Sequence, residues 1–259
     1  MEPPAVTAPD LAALNSATKY PSIPTYHRLD PKNGNLLEDR TPFTGDVLLT
    51  EKVDGTNGRI VLLPDGDYFI GSREELLHAR GDRVHNPALG IVDELRPLAD
   101  RLEPRDAHGR VTVFFLEVYG RKIGGAAKQY TGGNGVGHRL FDVALLRPDV
   151  LDRGLEQISS WRDAGGQDFG DEAALQEIAG THGIPLVPRL TTVPGGELPA
   201  GVDGMAAFLA ERLPATRVAL DDEAGGTPEG IVLRTPDRSV IAKARFQDYA
   251  RTLKRRARR

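Results

Sequence analysis

At 259 residues, with 39% hydrophobic and 27% charged side chains, the chain has the composition of a soluble globular protein able to bury one sizeable core. It has no cysteine, which excludes disulfides, thiolate metal sites and cysteine nucleophiles and suits a reducing cytoplasm. No apolar run approaches the roughly 20 residues of a membrane span, and Met1-Glu2-Pro3-Pro4 lacks the basic and apolar regions of a signal peptide. The net charge of −4 hides an asymmetry, because the final stretch Arg251–Arg259 carries six positive charges and no negative one. A basic tail on an acidic body suits a phosphate backbone. It equally suits a helix end, where cations are favoured.

Residues 1–40 read as an N-terminal arm and lead-in. Residues 1–20 are rich in Ala and Pro and form a loose arm with a short helix at Asp10–Leu14. Tyr20–Asn35 is an irregular lead-in, too short for a separate barrel domain. Val47–Val53 and Gly58–Leu63 are strands, and Glu51-Lys52-Val53-Asp54-Gly55-Thr56-Asn57 joins them. A lysine ending a buried strand is costly unless its charge is paired or used. An amine attacks only when neutral, and at pH 7 a reference pKa of ~10.4 leaves about one in a few thousand in that form. Burial and nearby cations can lower that pKa, so this stretch predicts cations elsewhere in the chain. The plain alternative is a surface hairpin with an Asp-Gly turn.

Tyr68–Gly71 follows a turn as a third strand, with Ser72-Arg73-Glu74 at its end. Arg73 there can hold a phosphate or a terminal hydroxyl, or make a surface ion pair. Asn86-Pro87 starts a helix that runs to about Leu102, with Leu89, Val92, Leu95 and Leu98 near helical spacing. Val111–Val118 is a near-continuous apolar strand interrupted by Glu117, which is either functional or reaches solvent at an edge. The Gly-rich stretch Thr131–Gly137 is not a phosphate-binding P-loop, since no Gly-Lys-Ser/Thr follows, and reads as a flexible loop over a site. Arg139–Leu146 is a strand whose Phe141 can stack on a base or fill the core. Asp171–His182 and Val202–Leu213 are helices, Trp161 packs, and residues 149–215 show no obvious chemistry. Glu229-Gly230 leads into a strand over 231–234, and Thr235-Pro236-Asp237-Arg238 turns it into a partner strand at Ser239–Arg245. Lys243 and Arg245 share one face there, opposite Ala242 and Ala244. Two cations on one face suit a triphosphate and supply the field Lys52 asks for. A final helix from Phe246 carries the basic tail.

In order, the chain carries Lys-x-Asp-Gly-x-Asn (52–57), Ser-Arg (72–73), Phe-Leu-Glu-Val-Tyr-Gly (115–120), Phe-Asp-Val (141–143), Glu-Gly-Ile-Val (229–232) and Lys-Ala-Arg (243–245). This series, spanning residues 47–246, resembles the covalent nucleotidyltransferases, the ATP-dependent ligases and capping enzymes. Within them it is most similar to RNA ligases of the phage double-strand-repair type. The resemblance implies an α+β fold, an ATP-grasp-like ligase adenylation domain of mostly antiparallel sheets with flanking helices and no OB-fold, over residues 41–259. It implies that Lys52 attacks the α-phosphate of ATP and carries AMP, and that Glu51 and Asn57 flank the nucleotide. Arg73 would contact the ribose or the RNA end, and Glu117 the ribose or a metal. Phe141 would stack on adenine, Glu229 would bind Mg²⁺ or Mn²⁺, and Lys243 and Arg245 would grip the phosphates. The partner would be RNA with 5′-phosphate and 3′-hydroxyl ends. Asn57 stands where DNA ligases and capping enzymes usually carry an arginine, which leans towards RNA. The final motif is Lys-Ala-Arg where many RNA ligases have two lysines; Arg245 keeps the charge but not the geometry. Only about a dozen residues follow, too few for an accessory domain, so grip on RNA is expected to be weak or supplied by a protein partner. The alternatives are transfer to DNA, capping-type transfer from GTP, and an RNA-end-binding module without catalysis.

Overall fold

A computed structural model describes residues 10–82, 90–104, 108–121 and 123–258. The chain divides into two compact units. Unit 1 comprises residues 1–21, 57–115 and 142–169, and unit 2 residues 22–56, 116–141 and 170–259.

In unit 1, β4 (Thr56–Leu62), β5 (Tyr68–Ser72) and β6 (Leu76–Ala79) form an antiparallel meander. Their sheet continues through β7 (Val111–Gly120) and β8 (Val136–Leu146) to β9 (Asp168–Phe169), in the order β6-β5-β4-β7-β8-β9. The division between units falls inside β7 and β8. Helix α1 (Leu11–Ala17) is capped by the Asp10 carboxylate and buries Ala13, Leu14 and Ala17. The short helix expected at Asp10–Leu14 is thus present and runs on to Ala17, because three apolar side chains at helical spacing find a packed face. Helix α2 (Ile91–Ala99) buries Ile91, Val92, Leu95 and Leu98. The Asn86-Pro87 start and Leu89 lie outside the described residues. A one-turn helix α3 (Ala127–Tyr130) precedes the Gly-rich loop of unit 2, and α4 (Leu155–Asp163) of unit 1 is tied to α1 by Arg162, which donates to the Ser16 carbonyl at 2.8 Å. Arg59 on β4 is fully buried, donating to Asn15 Oδ1 and to the Arg73 carbonyl, and burial lowers its pKa to about 10.

Unit 2 is built on the four-stranded antiparallel sheet β10-β3-β11-β12, made of β10 (Arg189–Pro194), β3 (Asp46–Lys52), β11 (Gly230–Arg234) and β12 (Ile241–Arg245). Strand alternation gives it two unlike faces. Val47, Leu49, Ile231, Leu233, Ala242 and Ala244 pack into one core with Val202, Met205 and Leu209 of α6 (Val202–Arg212) and Tyr249 of α7 (Phe246–Arg256). The other face takes Thr50, Lys52, Val232, Lys243 and Arg245. Strand β12 begins at Ile241 rather than Ser239, because the Asp237 carboxylate binds the Ser239 amide and hydroxyl and holds both in the turn. Strand β10, unforeseen within 149–215, is a half-exposed edge strand closed by Pro194, a pattern with little periodic signal.

The basic tail docks on the chain itself. A hairpin of β1 (His27–Leu29) and β2 (Leu36–Arg40) lies beside α7. Arg251 donates to the Gly34 carbonyl at 2.6 Å, Arg255 to the Asn33 carbonyl at 2.8 Å, and Arg256 pairs with Glu38 at 2.8 Å. Three of the tail's cations are thus spent within the fold. Asp248, only 1% exposed, accepts from both Arg245 and Arg251 at 2.8 Å and ties β12 to α7.

Gly230 is required by close approach, since a Cβ there would lie 2.1 Å from the Ala244 carbonyl oxygen. Backbone on a central strand pair cannot yield as a side chain does. Gly230→Ala should cost on the order of 2 kcal/mol or more in urea unfolding, like other overpacked sites. Gly196→Ala, where the added methyl meets nothing within 4 Å, should be near neutral. Equal midpoints for the two variants would refute the packing argument.

Candidate active site

Lys52 ends β3 on the hydrophilic face of the sheet. Its Nζ is in direct contact with Glu229 Oε2, and the two side chains are 25% and 12% exposed. Glu229 immediately precedes β11. Gly230 pairs with Lys52 on one side and with Arg245 on the other, so these three positions form one row across the sheet. The Lys52 and Arg245 backbones are thus about 10 Å apart with no side chain between them. The next row is Thr50, Val232 and Lys243. The cations expected around Lys52 are on its face but two strands away, and its contacting partner is a carboxylate. The strand order explains this, because β11 separates β3 from β12.

Glu117, on the part of β7 that belongs to unit 2, accepts from the Gly55 amide at 3.0 Å. Gly55 must lack a side chain, since a Cβ would meet the Val118 carbonyl oxygen at 2.2 Å. Burial pushes the Glu117 carboxyl up to about 7; Lys52 and the Gly55 amide oppose the rise, and Glu229 and Asp54 repel it further. Burial likewise raises Glu229, against the pull of Lys52. Among the described residues no group of three or more His, Cys, Asp or Glu side chains gathers as a metal cage. Glu229 adds to the rise of the Glu117 carboxyl, and this pair of acids still fits a hard divalent cation of the kind that completes its shell with water and phosphate oxygens.

Beside Lys52, Val53 joins Tyr119, Ala126, Tyr130, Val187 and Val218 in a small core, with Phe141 and Leu220 partly buried against it. Tyr119 and Tyr130 meet edge to face with centroids 5.0 Å apart, and the Tyr130 hydroxyl accepts from the Asp54 amide at 2.6 Å. Phe141 is therefore a partly exposed edge of an aromatic cluster next to the lysine loop. Its packing there agrees with the core-filling alternative, and part of the ring stays exposed.

Glu51 adjoins Lys52 in the strand and so faces the other way. It is buried, pairs in register with Ile231, and accepts from the Thr216 hydroxyl and from the Arg217 amide at 2.8 Å. Its carboxylate is turned to the 216–217 loop rather than to the cationic face, and burial raises its pKa. The Gly-rich loop is also anchored rather than loose. The Asp221 carboxylate binds the Thr131 hydroxyl and the Gly132 amide, and Leu220 N donates to the Tyr130 carbonyl. Asn57 and Arg73 belong to unit 1. Asn57 Oδ1 is buried with no hydrogen-bond partner among the described residues. Arg73, on the loop after β5, lies 3.6 Å from the exposed Glu74 carboxylate.

Thr216, Arg217, Asp221, Tyr130 and Asp248 were not foreseen. The first four act through contacts distant in sequence, whereas Asp248, at position 3 of α7, acts through neighbours three residues away, and that spacing from Arg245 and Arg251 was its local sign.

The family model for RNA ligase matches residues 45–250. Among solved structures, an archaeal ATP-dependent RNA ligase superposes with a TM-score of 0.55 at 19% identity, over 89% of this chain and 49% of its own. A Naegleria gruberi RNA ligase with PPi gives 0.52 at 14% identity, over 83% and 52%. A mutant of the Naegleria gruberi RNA ligase with ATP and Mn gives 0.52 at 14%, over 91% and 62%. This chain therefore spans about half the length of the first two. No curated protein matches. At these identities the superpositions establish the fold, while the family model covers most of the sequence: the chain belongs to the RNA ligase family.

Proposed function

We propose that the chain is an ATP-dependent RNA ligase in which Lys52 is the nucleophile and residues 41–259 carry the nucleotidyltransferase domain. The carrying observation is the row Lys52–Gly230–Arg245 with Glu229 in contact with the amine. The amine forms an N–P bond to the α-phosphorus of ATP, the bond from that phosphorus to the bridging oxygen breaks, and pyrophosphate leaves. AMP then passes to an RNA 5′-phosphate, and a 3′-hydroxyl displaces it to join the strands. The choice of ATP and of a divalent metal, manganese or magnesium, is in line with the Naegleria gruberi structure, which holds ATP and Mn.

Each residue has a part that its surroundings favour. Glu229 is the acceptor in contact with the Lys52 amine and so holds that nitrogen in position for attack. Lys243 and Arg245 face the phosphates, and such displacement is mostly positioning and charge neutralisation. Phe141 packs against adenine, and Glu51 holds the 216–217 loop that borders the same cluster. Glu117 and Glu229 would hold the divalent ion, which supplies Lewis-acid stabilisation of charge on the phosphate oxygens. Asn57, with its unsatisfied Oδ1, and Arg73 are assigned to the nucleotide and the RNA end. Grip on RNA beyond its ends is assigned to a protein partner, since half of the six tail cations bind the chain's own hairpin. The absence of cysteine suits a reducing cytoplasm, and joining a 5′-phosphate to a 3′-hydroxyl suits RNA repair. Among the described residues no helix is long and apolar enough to cross a membrane.

Incubation with α-labelled ATP and Mg²⁺ or Mn²⁺ should leave label on the protein, and Lys52→Ala should abolish it. Label from GTP instead, or label retained by that variant, would reject the assignment. Sealing of nicked RNA but not nicked DNA is the expected outcome with the wild-type chain.

The raised Glu117 carboxyl sets a pH dependence in the ligand-free protein. Its folded pKa of about 7 exceeds the ordinary 4.5, so between these values the folded state holds the extra proton. Stability is then full below about pH 4.5 and falls as pH rises through 7. Glu117→Gln should remove that fall, gaining on the order of 2 kcal/mol over wild type between pH 5 and 8. Urea midpoints at both pH values read this directly, and a constant difference between the two proteins would refute the shift.

A further inference from the structure

A groove of about 500 Å³ opens between β12 and the lead-in segment, lined by Thr25, Arg28, Leu29, Thr41, Lys243 and Arg245. Its walls are fixed through the backbone. Lys243 N donates to the Pro24 carbonyl at 2.9 Å, and Tyr26 N donates to the Lys243 carbonyl at 2.8 Å. Its cations are held in place as well, Arg245 by Asp248 at 2.8 Å and Arg28 by Asp39 at 2.8 Å. Arg28 is 71% exposed, so its guanidinium is not built into the core.

We propose that this groove receives the β- and γ-phosphates of ATP, with Arg28 of the lead-in hairpin as the cation on its outer wall. The proposal rests on the nucleotide reading above and adds the site of the leaving group. In-line displacement requires the departing oxygen to lie across the phosphorus from the attacking nitrogen. The pyrophosphate must therefore extend away from Lys52 by more than the α-phosphate does. In the direction of β12 the first position is Gly230, which has no side chain, and the second is Arg245 on the groove wall. That distance, about 10 Å from backbone to backbone, suits an amine, a phosphorus and a diphosphate in sequence. Three cations from two chain segments suit the several charges of a pyrophosphate, and Arg28 can grip it through two N–H groups at once.

The test uses the full chain carrying Lys52→Ala, which cannot consume ATP, and measures binding by calorimetry. Arg28→Gln should weaken ATP and inorganic pyrophosphate about tenfold and leave AMP unchanged, since AMP lacks the phosphates in question. Asp39→Asn frees the guanidinium and should tighten pyrophosphate binding a few-fold. If Arg28 merely held the hairpin to Asp39, both variants would weaken binding alike, which overturns the proposal. So does equal loss of AMP and ATP, or a loss confined to a single-stranded RNA oligonucleotide measured by fluorescence anisotropy, which would give the groove to RNA. ATP and AMP both bound but indifferent to Arg28→Gln sinks the groove assignment alone. Failure of the unsubstituted Arg28 chain to bind either nucleotide sinks the nucleotide reading, and this proposal with it.

Discussion

The alternation of one short antiparallel sheet governs everything else in unit 2. Because β3, β11 and β12 are in register, each residue's parity decides its environment. One parity packs against α6 and α7 and supplies the core; the other gathers Lys52, Lys243 and Arg245 on a single face. A register slip of one residue on β12 would exchange Ala244 for Arg245 and bury the cation in that core. The core therefore fixes the chemistry. Burial of Ala242 and Ala244 is what holds Lys243 and Arg245 on the opposite face, and Gly230 keeps the row between Lys52 and Arg245 clear.

Charge balance is the second constraint. Lys52 would be an expensive end to a half-buried strand were Glu229 not beside it, and Glu229 would be an equally expensive carboxylate without Lys52. Glu117 adds a second acid whose proton burial favours keeping. The ligand-free site thus contains more carboxylate than its single contacting lysine can neutralise. Such a site is destabilising by itself and gains from a cation and from a polyanion that carries one in. The same excess that costs stability at neutral pH provides the driving force for binding.

The parts legible in the sequence were those fixed by local pattern. Strand β3, the alternation of β12, the apolar run of β7, the capped helix α5 (Glu172–His182) with Gly183 in the left-handed region, and the order of motifs all follow from neighbours within a few residues. The direction of Glu51 was implicit in the same alternation, since a residue adjacent to Lys52 in a strand faces the opposite side. What stayed hidden depends on contacts across the chain. The 216–217 loop reaches Glu51 over some 165 residues, Asp221 anchors a Gly-rich loop about 90 residues away, and the tail arginines find a hairpin more than 200 residues upstream. Composition marks these residues only as charged. Two tails of equal composition, one solvated and one docked, are indistinguishable until the partner surface exists.

Three other acids share one property that separates them from Glu117 and Glu229. Glu51, Asp221 and Asp248 each accept at both carboxylate oxygens: from the Thr216 hydroxyl and Arg217 amide for Glu51, the Thr131 hydroxyl and Gly132 amide for Asp221, and Arg245 and Arg251 for Asp248. With each oxygen engaged, these carboxylates serve as fixed joints. Asp248 orients Arg245, Glu51 seats the loop that carries Val218, and Asp221 holds the Gly-rich loop against that same stretch. Catalysis of phosphoryl transfer depends on dipoles and charges already in position when charge develops. Acids at the joints supply that order, while the acids at the lysine keep coordination capacity in reserve. In a chain with several more acidic than basic residues, this division of labour lets a net negative protein present a cationic face to a phosphate.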